Sequence, residues 1–155
     1  MLINIEVIIS GAICGIILLQ TSVIAPSVFK YLDQNQTRDL LRAIFPKFFL
    51  YIIFLGTLSL IISLVNQIKI DGQIIIGTIT VMLSLLCYLI IPATNEAKDK
   101  NNQKRFKLLH KVSVISTVII LVTNLSSVFI QSIIQFFYEN TSFIIQITMT
   151  LKHYI

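Results

Sequence analysis

Charge is what this chain has least of. Only 12% of its 155 residues are Asp, Glu, Lys or Arg, while 55% are hydrophobic. Soluble domains carry roughly a quarter charged residues, so this composition cannot clothe a water-facing surface, and the mean hydropathy of +0.87 agrees. Tryptophan is absent, proline occurs three times and glycine five times. So few helix breakers exclude a loop-rich or low-complexity chain. The two cysteines, Cys14 and Cys87, both lie inside apolar runs and read as small buried residues. A disulfide framework or a metal-binding Cys pair is thereby disfavoured. Catalytic patterns are missing too: there is no buried carboxylate pair, phosphate-binding loop, Gly-x-Ser-x-Gly or Cys–His pair. Asp33, Asp39, Glu96 and Asp99 fall between the apolar runs, where solvation is expected. The expectation is a non-enzyme, with no catalytic residue, metal site or cofactor.

What is present is four long apolar runs, at about 5–25, 44–65, 73–91 and 112–137. A hydrocarbon core of about 30 Å needs about 20 helical residues, and each run suffices. The runs are continuous instead of alternating, which argues for helices over a barrel. The expected fold is all-α, an integral membrane four-helix bundle over residues 1–137 with an external or interfacial tail at 138–155. Pro26 and Pro92 are expected to stop the first and third helices, and Pro46 to occupy the first turn of the second. The start of the chain lacks the basic n-region and cleavage site of a signal peptide, so the first run is expected to remain as a span. In the tail, Phe143, Ile145, Ile147, Met149 and Leu151 alternate with other residues, a strand-like period of two. Asn140-Thr141-Ser142 matches a glycosylation acceptor, a short pattern with little weight here.

The basic residues divide unevenly between the two sides. Lys30, Arg38, Arg42 and Lys47 follow the first run, and Lys98, Lys100, Lys104, Arg105, Lys107 and Lys111 follow the third; only Lys69 and Lys152 fall on the other side, a ratio of ten to two. Positive-inside bias then makes the loops at about 26–43 and 92–111 cytoplasmic and both termini external. The expected location is the cytoplasmic (inner) membrane of a bacterium, and the net charge of +5 is a topology signal with no call for nucleic acid. Each half of the chain runs helix, proline, basic loop, aromatic residue, helix. A parallel two-helix repeat has that outline, and so has any four-helix chain with basic loops on one side.

Inside the runs, Gly11 and Gly15 form a GxxxG pattern, with Ser59 and Ser63 a milder equivalent on the second run. Small residues at that spacing let helices approach closely. Packing within the bundle is the first expectation, and homodimer formation the alternative. His110, Ser113, Thr117 and Asn124 step by three, four and seven, which places them on one face of the fourth helix. Interhelical hydrogen bonding is the simpler reading of that stripe, and a polar cavity open to the cytoplasm the sharper one. His110 lacks a partner for haem or copper, since His153 belongs to the other side. An interfacial hydrogen-bonding role is expected, with lower detergent stability or disrupted assembly in His110→Ala.

The segment Ile24-Ala25-Pro26-Ser27-Val28-Phe29, followed by Ile44-Phe45-Pro46-Lys47-Phe48-Phe49, resembles the "APxxF … FPxYF" pattern of the transmembrane protein 205-like family. Phe106-Lys107-Leu108-Leu109-His110-Lys111-Val112-Ser113 resembles its "FxxLHxxS". The likeness covers about residues 5–130 and marks Pro26, Phe29, Phe45, Pro46, Phe106, His110 and Ser113, with Arg42 on the way to the second motif. Thr117 stands where that family usually has Asn, with Asn124 two turns onward. The resemblance implies a four-helix membrane domain without an assigned activity. The expected function is non-enzymatic, through a homo-oligomer or contacts with another membrane protein in the bilayer. Two alternatives remain: a small transporter or channel using the stripe from His110 to Asn124, and a membrane haem or copper protein.

Overall fold

The computed structural model describes the backbone of residues 2–65 and 71–154, and side chains within them except at 2–4, 71, 130–140 and 142–154. Lys69 and the side chains of Lys152, His153 and Asn140 therefore lie outside the described residues, as does the side-chain alternation expected of the tail. The described backbone is helical almost throughout. Helix α1 (Leu2–Leu19) passes through a π-helical turn (Gln20–Ile24) into α2 (Ala25–Tyr31), and α3 (Gln34–Val65), α4 (Asp71–Asp99) and α5 (Gln103–Tyr154) follow. Four stretches are long and apolar enough to cross a membrane: Ile5–Tyr31, Gln34–Val65, Gly72–Asp99 and Gln103–Phe129.

The long loops expected at 26–43 and 92–111 are not loops. All three prolines lie within helical segments, and the connections shrink to Leu32–Asp33 and Lys100–Asn102. Pro26 has no N–H to return to Ser22, and its ring would crowd that carbonyl in a regular α-helix. The chain widens just before it: the Ala25 N–H bonds the Gln20 carbonyl five residues back. A proline costs one bond and not the helix, because neighbouring turns and helices can re-satisfy the freed groups in a membrane bundle.

Local chemistry at the two short connections explains why the helices run on. Asp33 Oδ1 accepts from the Asn35 and Gln36 amides at 2.9 and 2.8 Å, and Gln36 Oε1 accepts from the Asp33 amide at 3.3 Å. This reciprocal cap starts α3 ten residues before the expected boundary. At the end of α4, Asn101 adopts φ 51°, and the Asn102 and Asn101 amides reach the carbonyls of Ala97 and Lys98. That is a Schellman closure with Asn in the left-handed position. Asn102 Oδ1 then caps α5 through the Arg105 amide at 3.1 Å. The tail does not form a strand: α5 continues as one helix to Tyr154.

The helices form a ring in which α1 packs on α3 and α5, and α4 also packs on α3 and α5. Large apolar side chains such as Ile8, Tyr51, Phe54, Met82, Leu89 and Val118 point outward. The apolar core holds Ile9, Ile13, Ile17, Phe48, Phe49, Ile52, Cys87 and Ile120. Two glycines bring α3 and α4 close together. A Cβ on Gly56 would lie 2.9 Å from Thr80 Cγ2, and one on Gly77 3.3 Å from Leu60 Cβ.

Candidate functional site

Buried polar side chains line the inside of the ring from one end to the other. At the end where α1 and α4 begin, Ser63 Oγ donates to Glu6 Oε1 at 2.6 Å, and Gln73 Nε2 donates to Ser127 Oγ at 2.6 Å. All four residues are buried. Deeper in, Asn124 Nδ2 donates to Thr80 Oγ1 at 2.8 Å and to the Ile120 carbonyl at 2.9 Å. Ser84 Oγ returns to the Thr80 carbonyl at 2.6 Å. Cys14 and Cys87 thiols lie 3.8 Å from the carbonyls of Leu121 and Ser113, bridging α1 and α4 to α5. Gln20, in the π-helical turn, is buried, and among the described residues neither its Nε2 nor the Gln73 Oε1 has a partner.

The family-motif residues lie toward the opposite end, none of them fully buried. Phe106 and His110 stack with centroids 5.8 Å apart and planes within 5°, and the Lys98 ammonium lies 5.1 Å from the Phe106 centroid. Arg42 pairs with Asp99, tying α3 to α4 beside that stack. Phe45 packs against the core and stacks on Phe49 at 6.4 Å, while Pro46 lies within α3. Phe29 is exposed, as is Pro26.

The stripe expected on α5 divides. Asn124 is buried, Ser113 and Thr117 are half-buried, and His110 is exposed. The buried face runs through Ser116, Ile120, Asn124 and Ser127, and His110 lies roughly a quarter turn away from it at 3.6 residues per turn. The Ser113 carbonyl accepts from Thr117 Oγ1 at 2.8 Å, so this pair closes on its own helix. Burial therefore deepens along the stripe, from His110 at the surface to Asn124 inside. Gly11 and Gly15 also differ from expectation: both are exposed, with nothing within 4 Å of an added Cβ. Close packing inside the bundle belongs to Gly56 and Gly77 instead.

Several interior residues were not singled out by sequence reasoning: Glu6, Ser10, Gln73, Thr80 and Ser127. The signal was the i, i+4 spacing of Glu6 with Ser10 and Ser59 with Ser63, which puts each pair on one face. Among the described residues no three His, Cys, Asp or Glu side chains come together.

The family described as a domain of unknown function, DUF4149, matches residues 8–103. The chain belongs to that family. The DUF4149 match takes in most of α1 and all of α2 to α4, and thus Gly11, Gly15, Pro26, Phe29, Arg42, Phe45 and Pro46. It ends where α5 begins, so Phe106, His110, Ser113, Thr117 and Asn124 lie beyond it. No curated protein and no solved structure matches this DUF4149 chain.

Proposed function

We propose that this membrane protein is non-enzymatic and works as a self-associated unit, two copies meeting along the outward face of α1. The observation that carries this reading is the open groove at Gly11 and Gly15. A glycine pair buys close backbone approach in lipid, yet here it faces away from the protein's own helices. Helix α5 adds support by continuing to Tyr154, about 40 Å of helix past Ser127 at 1.5 Å per residue. The same proposal places the chain in the transmembrane protein 205-like branch, on the motifs around Pro26, Pro46 and His110. It also places the Arg42–Asp99 end in the cytoplasm of a bacterial inner membrane, on the ten-to-two split of basic residues.

The test is native mass measurement in mild detergent, with and without Gly11→Leu and Gly15→Leu. The wild type is expected as a dimer and the double variant as a monomer with an unchanged melting temperature. A monomeric wild type, or a double variant that stays dimeric, overturns the reading. A second reading, passage of an ion or small solute, is supported by the buried polar groups between Glu6 and Asn124. Flux through protein-loaded liposomes tests it, and no flux of protons, metal ions or small solutes sinks it.

A further inference from the structure

Glu6 is a carboxylate inside the ring, 4% exposed, contacted by the Ser63 hydroxyl of α3. An ionised carboxylate removed from water is costly unless a positive charge meets it. The described ion pairs, Arg38–Asp39, Arg42–Asp99 and Lys100–Glu96, all lie at the other end of the bundle. Among the described residues, then, no basic side chain neutralises Glu6.

A second, independent observation sits at the same end. Gln73 is 3% exposed and spends its Nε2 on Ser127, while its Oε1 has no partner among the described residues. The bond from Glu6 to Ser63 ties α1 to α3, and the bond from Gln73 to Ser127 ties α4 to α5. These are opposite edges of the four-helix ring at the same end of the bundle, where α1 and α4 begin. Ser10 and Ser59 are buried one turn deeper on α1 and α3, about 6 Å along the axis.

We propose that Glu6, Ser63, Gln73 and Ser127, with Ser10 and Ser59 beneath them, bind a monovalent metal cation such as sodium. Every donor offered is a hard oxygen: one carboxylate, one amide carbonyl and four hydroxyls. Hard cations take such ligands, and a divalent ion held tightly in protein draws on several carboxylates. A single negative charge matches a single positive one. The unpaired Gln73 Oε1 gains a partner, and Glu6 gains its counter-charge. The site makes no use of the Gly11–Gly15 face, so it stands or falls apart from self-association.

The test is thermal unfolding of the purified full chain in detergent, with sodium chloride replacing choline chloride at constant ionic strength. Ligand binding to the folded state raises Tm in a saturable way. The wild type is expected to show that rise, and Glu6→Gln to lose it. Gln73→Leu is expected to raise the half-saturating sodium concentration at least about tenfold, the usual scale for losing a metal-site partner. Radioactive sodium retained by wild type and lost in Gln73→Leu keeps the proposal testable if Glu6→Gln fails to fold. No sodium-dependent rise in wild type overturns it, and so does an equal rise in Glu6→Gln. A Tm that follows pH and ignores sodium also overturns it. Native mass on the same samples separates this result from the oligomer reading.

Discussion

Gly56 on α3 and Thr80 on α4 are in contact so close that a Cβ at position 56 would lie 2.9 Å from Thr80 Cγ2. The same Thr80 holds Asn124 of α5 through its Oγ1 at 2.8 Å. One glycine therefore sets the spacing of two helices and, through a threonine, the placement of a third. Gly56→Val should force Thr80 aside and destabilise the bundle by about 1–3 kcal/mol, the usual cost of overpacking. Unfolding in mixed micelles measures this, and a variant as stable as wild type would refute the close approach.

The Asn124–Thr80 bond is a buried interhelical pair. Such bonds in membrane proteins average about 0.6 kcal/mol and reach about 1.7. Asn124→Ala and Thr80→Ala should each destabilise, and the double variant should lose less than their sum. An additive double-mutant cycle would show that the two side chains do not communicate.

Asp33 satisfies two amides at the start of α3 and completes a reciprocal cap with Gln36. Asp33→Ala should cost about 1 kcal/mol, and Asp33→Asn, which keeps an acceptor, should recover most of it. Equal losses in both variants would point to charge in place of capping.

His110 is exposed and stacks on Phe106. His110→Ala should shift stability by no more than about 0.5 kcal/mol, as exposed substitutions do. That is smaller than the loss its place in the motif suggests. A large drop in melting temperature would restore His110 to a structural role.

Much of the architecture is readable from residues alone. The four apolar runs required four helices, because lipid leaves a backbone few other ways to satisfy its hydrogen bonds. The helix ends differ from expectation for a specific reason. Proline as a stop, the expectation at Pro26 and Pro92, is a rule from soluble proteins, where an interrupted helix turns to water. Asp33, Asn101 and Asn102 carried the true boundaries, and their capping chemistry is visible in the sequence once the helices are allowed to run through proline.

Residues that face the interior were harder to name. In water, an apolar stripe marks the core side of a helix. In lipid both sides of a helix are apolar, so hydrophobicity does not separate Ile13, fully inside, from Ile8, fully outside. Small and polar residues carry that information, but Gly11 and Gly15 look the same as Gly56 and Gly77 until the neighbours are placed. The composition by itself determined a membrane chain of four spans with its basic residues crowded toward one end. Tertiary structure alone decided which face of each helix turns inward. It paired Glu6 with Ser63 and Gln73 with Ser127 at one end and left His110 exposed, because which buried groups meet depends on how four helices rotate against one another.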